Sequence, residues 1–193
     1  MFAPLNSTQH RARSAACWAL VLLFVLLAGS GCGESKLDEY TTTLRKDFDA
    51  DEREEAAEKL GKLGDPAAIP VLRAATRDPD DKVREAAAEA LGLLADPASG
   101  TDLVALLSDP EKKVRREAVK ALGLIGDPQR VGDLLPMLGD RSSGIREETA
   151  EALGRIGSPL ALPALQRLAA EDNDGDVRRV AQFAVRRIED QAP

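Results

Sequence analysis

From Val83 onward the apolar residues return at steps of three and four: Val83, Ala87, Ala90, Leu91 and Leu94. That spacing draws one stripe along a helix rather than the alternation of a strand. The stripe recurs as Val114, Ala118, Ala121, Leu122 and Ile125, and again as Ile145, Ala152, Leu153 and Ile156. Each copy runs into Asp-Pro or Ser-Pro. Asp is a good N-cap, and Pro fits the first helical turn because its missing N–H would be unpaired there. The pattern therefore predicts a second, shorter helix over roughly 67–77, 98–108, 129–139 and 160–170. Pro70 and Pro163 fall near its first turn, whereas Pro136 lies deeper and predicts a kink.

The same phrases recur at a fixed period. Gly61, Gly92, Gly123 and Gly154 are 31 residues apart, in KLGKLGDP, ALGLLADP, ALGLIGDP and ALGRIGSP. Arg53, Arg84, Arg115, Arg146 and Arg178 form a second ladder with steps of 31, 31, 31 and 32. Six residues before each stands an aspartate: Asp47, Asp78, Asp109, Asp140 and Asp172. A helix pair of this size cannot bury its own apolar face, so neighbours must stack. Five units are expected: 36–64, which is degenerate, then 65–95, 96–126, 127–157 and 158–190.

Composition agrees with stacked helices. Apolar residues make up 44% but aromatics only 3%, so the core is built from Leu, Ala, Val and Ile. Charged residues reach 31%, as an extended surface requires. The start of the chain is different. Arg11 and Arg13 precede 14 apolar residues from Ala15 to Ala28, then Gly29, Ser30, Gly31 and Cys32. The run is the length of a signal-peptide core and shorter than the roughly 18 residues of a membrane span. Residues 1–31 are thus expected to be a signal peptide, and 32–35 a short tether. Without Arg11 and Arg13, 24 basic residues face 33 acidic ones, a net charge of −9.

Two resemblances follow. The unit V-R-x-x-A-x-x-A-L-G-x-I-G-D-P resembles HEAT repeats, in particular the short HEAT-like repeats of phycobilin lyases. This implies an all-α, right-handed α-solenoid whose second helices line the concave surface, with the Asp–Arg ladder serving structure. Leu26-Leu27-Ala28-Gly29-Ser30-Gly31-Cys32 resembles the lipobox of bacterial lipoproteins, although Gly29 stands where Leu is usual. By that resemblance Cys32 is acylated, and Gly33 after it permits an outer-membrane address.

On the second helices, equivalent positions read Glu54, Glu85, Arg116, Glu147 and Arg179, and one turn later Glu58, Glu89, Lys120, Glu151 and Phe183. This predicts a mixed-charge groove, most acidic at its N-terminal end, with Arg116 and Lys120 between Glu85 and Glu89 on one side and Glu147 and Glu151 on the other. Such a groove selects a basic or polar protein surface.

Other chemistry is poorly supplied. After Cys32 there is no histidine and no second cysteine, so neither a Ser-His-Asp nor a Cys-His arrangement is available. No metal or cofactor site is expected. In Asp172-Asn173-Asp174-Gly175-Asp176 an EF-hand register would place Ala170 and Ala181 at essential ligand positions, so that match fails. The negative charge and the scarcity of aromatics (Tyr40, Phe48 and Phe183) disfavour nucleic acid. The expected function is a non-enzymatic scaffold for a protein partner, held to a membrane of the bacterial envelope through Cys32. The alternatives are an accessory protein of a chromophore enzyme, as in phycobilin lyases, and a purely structural envelope protein.

Overall fold

A computed structural model describes residues 35–191, and the signal, lipobox and Cys32 readings fall outside them. These residues form ten α-helices, alternating between two layers. The first helices of successive pairs are α1 (Lys36–Lys46), α3 (Ile69–Ala75), α5 (Gly100–Leu106), α7 (Val131–Leu134) and α9 (Leu162–Glu171). The second helices are α2 (Ala50–Leu63), α4 (Asp81–Leu94), α6 (Lys112–Ile125), α8 (Ser143–Ile156) and α10 (Gly175–Gln191). The architecture is a solenoid of stacked helix pairs.

The Asp-Pro junctions work as capping chemistry dictates. Asp65, Asp96 and Asp127 each accept the N–H two residues on, and the proline opens a single 3₁₀ turn that feeds the first helix. Pro136 does more than kink its helix: α7 stops at Leu134, and the chain continues as a 3₁₀ turn, Leu135–Gly139. With no N–H to donate and a ring pressing on the preceding turn, proline cannot carry the α-helical ladder onward. Helices α2, α6 and α8 end on a left-handed glycine, Gly64, Gly126 and Gly157, with φ of 70–75°, and α4 on Ala95 at φ 50°.

Between the layers lies a repeating core. Leu72, Leu103, Leu134 and Leu165 from the first helices meet Leu60, Leu91, Leu122 and Leu153 from the second, all with no exposed surface. Along the second helices a glycine packs on the next helix's alanine. A Cβ on Gly61, Gly92, Gly123 or Gly154 would fall within 2.7–2.9 Å of Ala90, Ala121, Ala152 or Ala184. This seam lets the second helices pack on one another far more extensively than the first helices do. Closer spacing on that side favours a bend toward the second helices, and their outward surface is here called the inner face. At both ends the small residues give way to charge: Lys59 occupies the alanine position of α2, and Arg186 the glycine position of α10. Lys59 lies 5.2 Å from the centre of the Tyr40 ring and 2.7 Å from Glu55.

The Asp–Arg ladder ties each repeat to the next. Arg84 donates Nε and Nη2 to the two carboxylate oxygens of Asp109 (2.7 and 3.0 Å). Its Nη1 reaches back to the carbonyls of Asp78 and Pro79 (2.9 and 3.0 Å). Asp109 also accepts the N–H of Glu111 at 2.9 Å, which fixes the loop before α6. Arg53–Asp78, Arg115–Asp140 and Arg146–Asp172 repeat the arrangement. The ladder is open at its ends. Arg178 donates to the Asp172 carbonyl and forms no ion pair with a carboxylate among the described residues, while the Asp47 carboxylate accepts the N–H of Asp49 and its carbonyl accepts Arg53 Nη1. A separate clamp joins first helices: buried Asp102 on α5 accepts from Arg73 on α3 and from Arg77 just beyond it.

Candidate functional site

The inner face carries an extended array of charge that the ladder does not consume. Its centre is on α4, α6 and α8. Arg116 and Glu89 are exposed, and Lys120 and Glu85 are half-buried. Arg116 and Glu85 border a cleft of about 260 Å³ that Lys113 and Ser142 help to line. Lys120 donates to Glu117 at 2.9 Å, one turn back on its own helix.

The register across this face differs from the sequence expectation. On α8, the carboxyl whose charge Arg116 and Lys120 act on is Glu148, a residue outside the rows that the sequence pattern picked out. The reason is the seam. Residues 116, 120 and 123 form the flank of α6 that meets α8, and α8 answers with 148, 152 and 155, as the contact of Gly123 with Ala152 and Arg155 records. Residues one period apart occupy the same flank of their own helices, so they do not face one another. Glu117, which belongs to the answering row, is only 7% exposed and was not singled out by the sequence pattern. Its signal is an acid at a position that is Ala86 one repeat earlier.

Burial and like charge act together on the acids. Burial pushes the Glu148 carboxyl above its ordinary range, with Glu151 and Glu117 adding to it against Arg116 and Lys120. Burial likewise raises Glu85, which Lys113 and Arg116 oppose. Further toward the N-terminal end, Glu54 is half-buried and Lys82 reaches it at 3.9 Å and Asp51 at 3.1 Å. Glu58 is held by Lys62 at 2.8 Å. Toward the C-terminal end, Glu151 pairs with Arg155 and Arg179 with Asp176 (2.7 and 2.8 Å), while Glu147 is half-buried and Phe183 is 65% exposed. Exposed Leu93 and Leu124 lie over the glycines of the neighbouring helices. Apolar strips between charged pairs of both signs are also the make-up of protein–protein interfaces. Elsewhere, Asp172 and Asp174 are committed to Arg146 and to backbone N–H groups. Among the described residues no group of His, Cys, Asp and Glu is placed to hold a metal ion, and no helix is long and apolar enough to cross a membrane.

The family pattern described as HEAT repeats matches residues 37–111 and 100–186. The chain belongs to the HEAT-repeat family. This HEAT-repeat protein is similar to the complex of CpcE and CpcF of phycocyanin lyase from Nostoc sp. PCC7120, at 26% identity and TM-score 0.71. That match covers 83% of this chain and 67% of the other. An engineered protein solved by structural genomics matches at 23% identity and TM-score 0.65, over 80% and 79% of the two chains. A designed armadillo repeat protein in complex with the peptide (KR)4 matches at 21% identity and TM-score 0.61, over 77% and 80%. No curated protein sequence matches the chain.

Proposed function

We propose that this HEAT-repeat scaffold is a non-enzymatic, lipid-anchored protein that holds a protein partner against its inner face at a membrane of the bacterial envelope. The observation that carries the binding part is the array around Arg116 and Lys120, where cations on α6 are flanked by Glu85, Glu89 and Glu148. An inner face paved with half-buried charge is costly unless a partner or neighbour completes its pairs. The acids of α2 and α4 suit a basic or polar segment. The anchoring part rests on the lipobox resemblance at Cys32. With helix α1 starting at Lys36, a tether of about four residues at ~3.5 Å each would keep the scaffold within roughly 15 Å of the membrane surface.

Two experiments test the two parts separately. Mass spectrometry of the N-terminal peptide from membrane fractions should find an acylated Cys32 that disappears in Cys32→Ala; an intact Met1 removes the anchor from the proposal. Comparative pull-down with Arg116→Glu/Lys120→Glu should lose the wild-type partner, and unchanged recovery sinks the inner-face reading. A second reading, an accessory protein of a chromophore enzyme, is supported by the likeness to the phycocyanin lyase complex. It requires a bound chromophore in the absorption spectrum of the purified protein.

A further inference from the structure

The C-terminal end of the inner face is built differently from its centre. Between α8 and α10 opens a cavity of about 360 Å³ whose walls are Gly154, Val180, Ala184 and the ring of Phe183. Phe183 is 65% exposed, whereas the equivalent positions on α4, α6 and α8 are Glu89, Lys120 and Glu151. Arg179 and Arg187 stand on its rim, one helical turn to either side of Phe183. The pair Arg179–Asp176 is exposed on both sides, at 73% and 72%, and is readily exchanged for another carboxylate. Arg187 has no hydrogen bond or ion pair among the described residues. The rim acid, Glu151, is occupied by Arg155.

We infer that this Arg-Phe-Arg stripe is a pocket for an extended segment of a protein partner that carries one large apolar side chain with a carboxylate two residues before it and another two residues after it. The inference rests on the reading of the inner face as a protein-binding surface and names the chemistry of its C-terminal end. Spacing decides the pattern. Eight residues of helix separate Arg179 from Arg187, about 12 Å at 1.5 Å per residue. Four residues of extended chain span about 13 Å, and side chains at i−2, i and i+2 point the same way. An apolar side chain seated against Phe183 thus brings its two flanking acids over the two arginines. Charge selects the same occupant: the uncommitted groups at this end are cations, opposite to the acid-rich end at α2 and α4.

The test uses the full chain and fluorescein-labelled synthetic peptides of the pattern Ser-Glu-Ser-Phe-Ser-Glu-Ser, read by fluorescence anisotropy. Controls replace both Glu by Lys, replace Phe by Ser, or move the acids next to the Phe. The first peptide should bind, and each control should be at least about tenfold weaker, as expected when a central anchor or its charges are removed. In the protein, Phe183→Ser and Arg187→Glu should each weaken binding by a similar factor with the helical circular dichroism unchanged. Both positions are exposed, so loss of fold is not expected. The Arg116→Glu/Lys120→Glu variant should bind the peptide normally, which separates failure of this pocket from failure of the central array. No binding up to about 1 mM, equal binding of the Glu and Lys peptides, or sedimentation showing that Phe183→Ser turns a dimer into a monomer would each overturn the inference.

Discussion

In most helices Gly→Ala stabilises, by about 0.5–1 kcal/mol, because it restricts the unfolded backbone. At Gly123 the sign should reverse. A Cβ there would fall 2.7 Å from the Cβ of Ala152 and 2.9 Å from its Cα, whereas carbon atoms rest at about 3.5–4.0 Å. Helices α6 and α8 would have to part by about 1 Å, and one of the obstructing atoms is backbone, which cannot swing aside. Overpacking of this kind costs about 1–3 kcal/mol, which exceeds the propensity gain and leaves a net loss of about 1–2 kcal/mol. In a domain of this size class that lowers Tm by about 3–6 °C. Thermal and urea unfolding followed by circular dichroism at 222 nm would measure it. Gly132→Ala is the comparator: nothing lies within 4 Å of its added Cβ, so Tm should hold or rise. Adding Ala152→Gly to Gly123→Ala should cost less than the sum of the single changes, since the new methyl then has somewhere to go. If Gly123→Ala melts at or above the parent temperature, the close seam is not what sets the helix spacing, and the account of the bend toward the second helices fails with it.

Three further outcomes follow from the capping and ladder chemistry. Arg84→Ala should destabilise by about 2–3 kcal/mol by stranding the buried Asp109 carboxylate, and Arg84→Lys should recover little of it because an ammonium cannot fork; urea midpoints decide. Burial pulls the carboxyls of Asp78, Asp109 and Asp140 upward, but the facing arginine and a backbone N–H outweigh it and hold each below the usual range. Their folded values lie under the unfolded value of about 3.9, so the ladder's contribution is complete above that pH and lost as pH falls through the folded values. Stability measured against pH should fall below about pH 4, and Asp109→Asn should be less stable at pH 7 with a shallower acid limb. Ala95→Gly should raise stability by about 0.5–1 kcal/mol, since Ala95 holds the left-handed conformation that glycine supplies in the other repeats; an unchanged or lowered Tm would contradict it.

What could be read from the sequence was whatever repeats. The period revealed an Asp ladder and an Arg ladder in phase, but whether Arg84 pairs with Asp78 of its own repeat or with Asp109 of the next is settled only by the fold. The Asp-Pro junctions likewise announced the start of each first helix. Contacts that depend on how neighbouring helices mesh were not legible. The facing of Arg116 with Glu148 follows from the Gly123–Ala152 contact, and no periodicity reports which flank of a helix meets the next. Glu117 escaped notice because its row, Glu55, Ala86, Glu117, Glu148 and Val180, mixes acids with apolar residues and does not say which acid the packing buries. The pocket at Phe183 needed α8 and α10 in place, since Gly154 and Ala184 lie 30 residues apart along the chain.

Lys59 and Arg186 bear on how many repeats such a protein can have. The interior units present glycine on one flank and alanine on the other, so any of them could follow any other, as identical bricks can. The flanks before α2 and after α10 differ: they carry Lys59, paired with Glu55 and set against Tyr40, and Arg186. Duplicating or deleting one 31-residue unit from the interior would therefore lengthen or shorten the inner face by one helix and leave both of these flanks unchanged. A protein so arranged can change the length of what it grips without inventing a new fold.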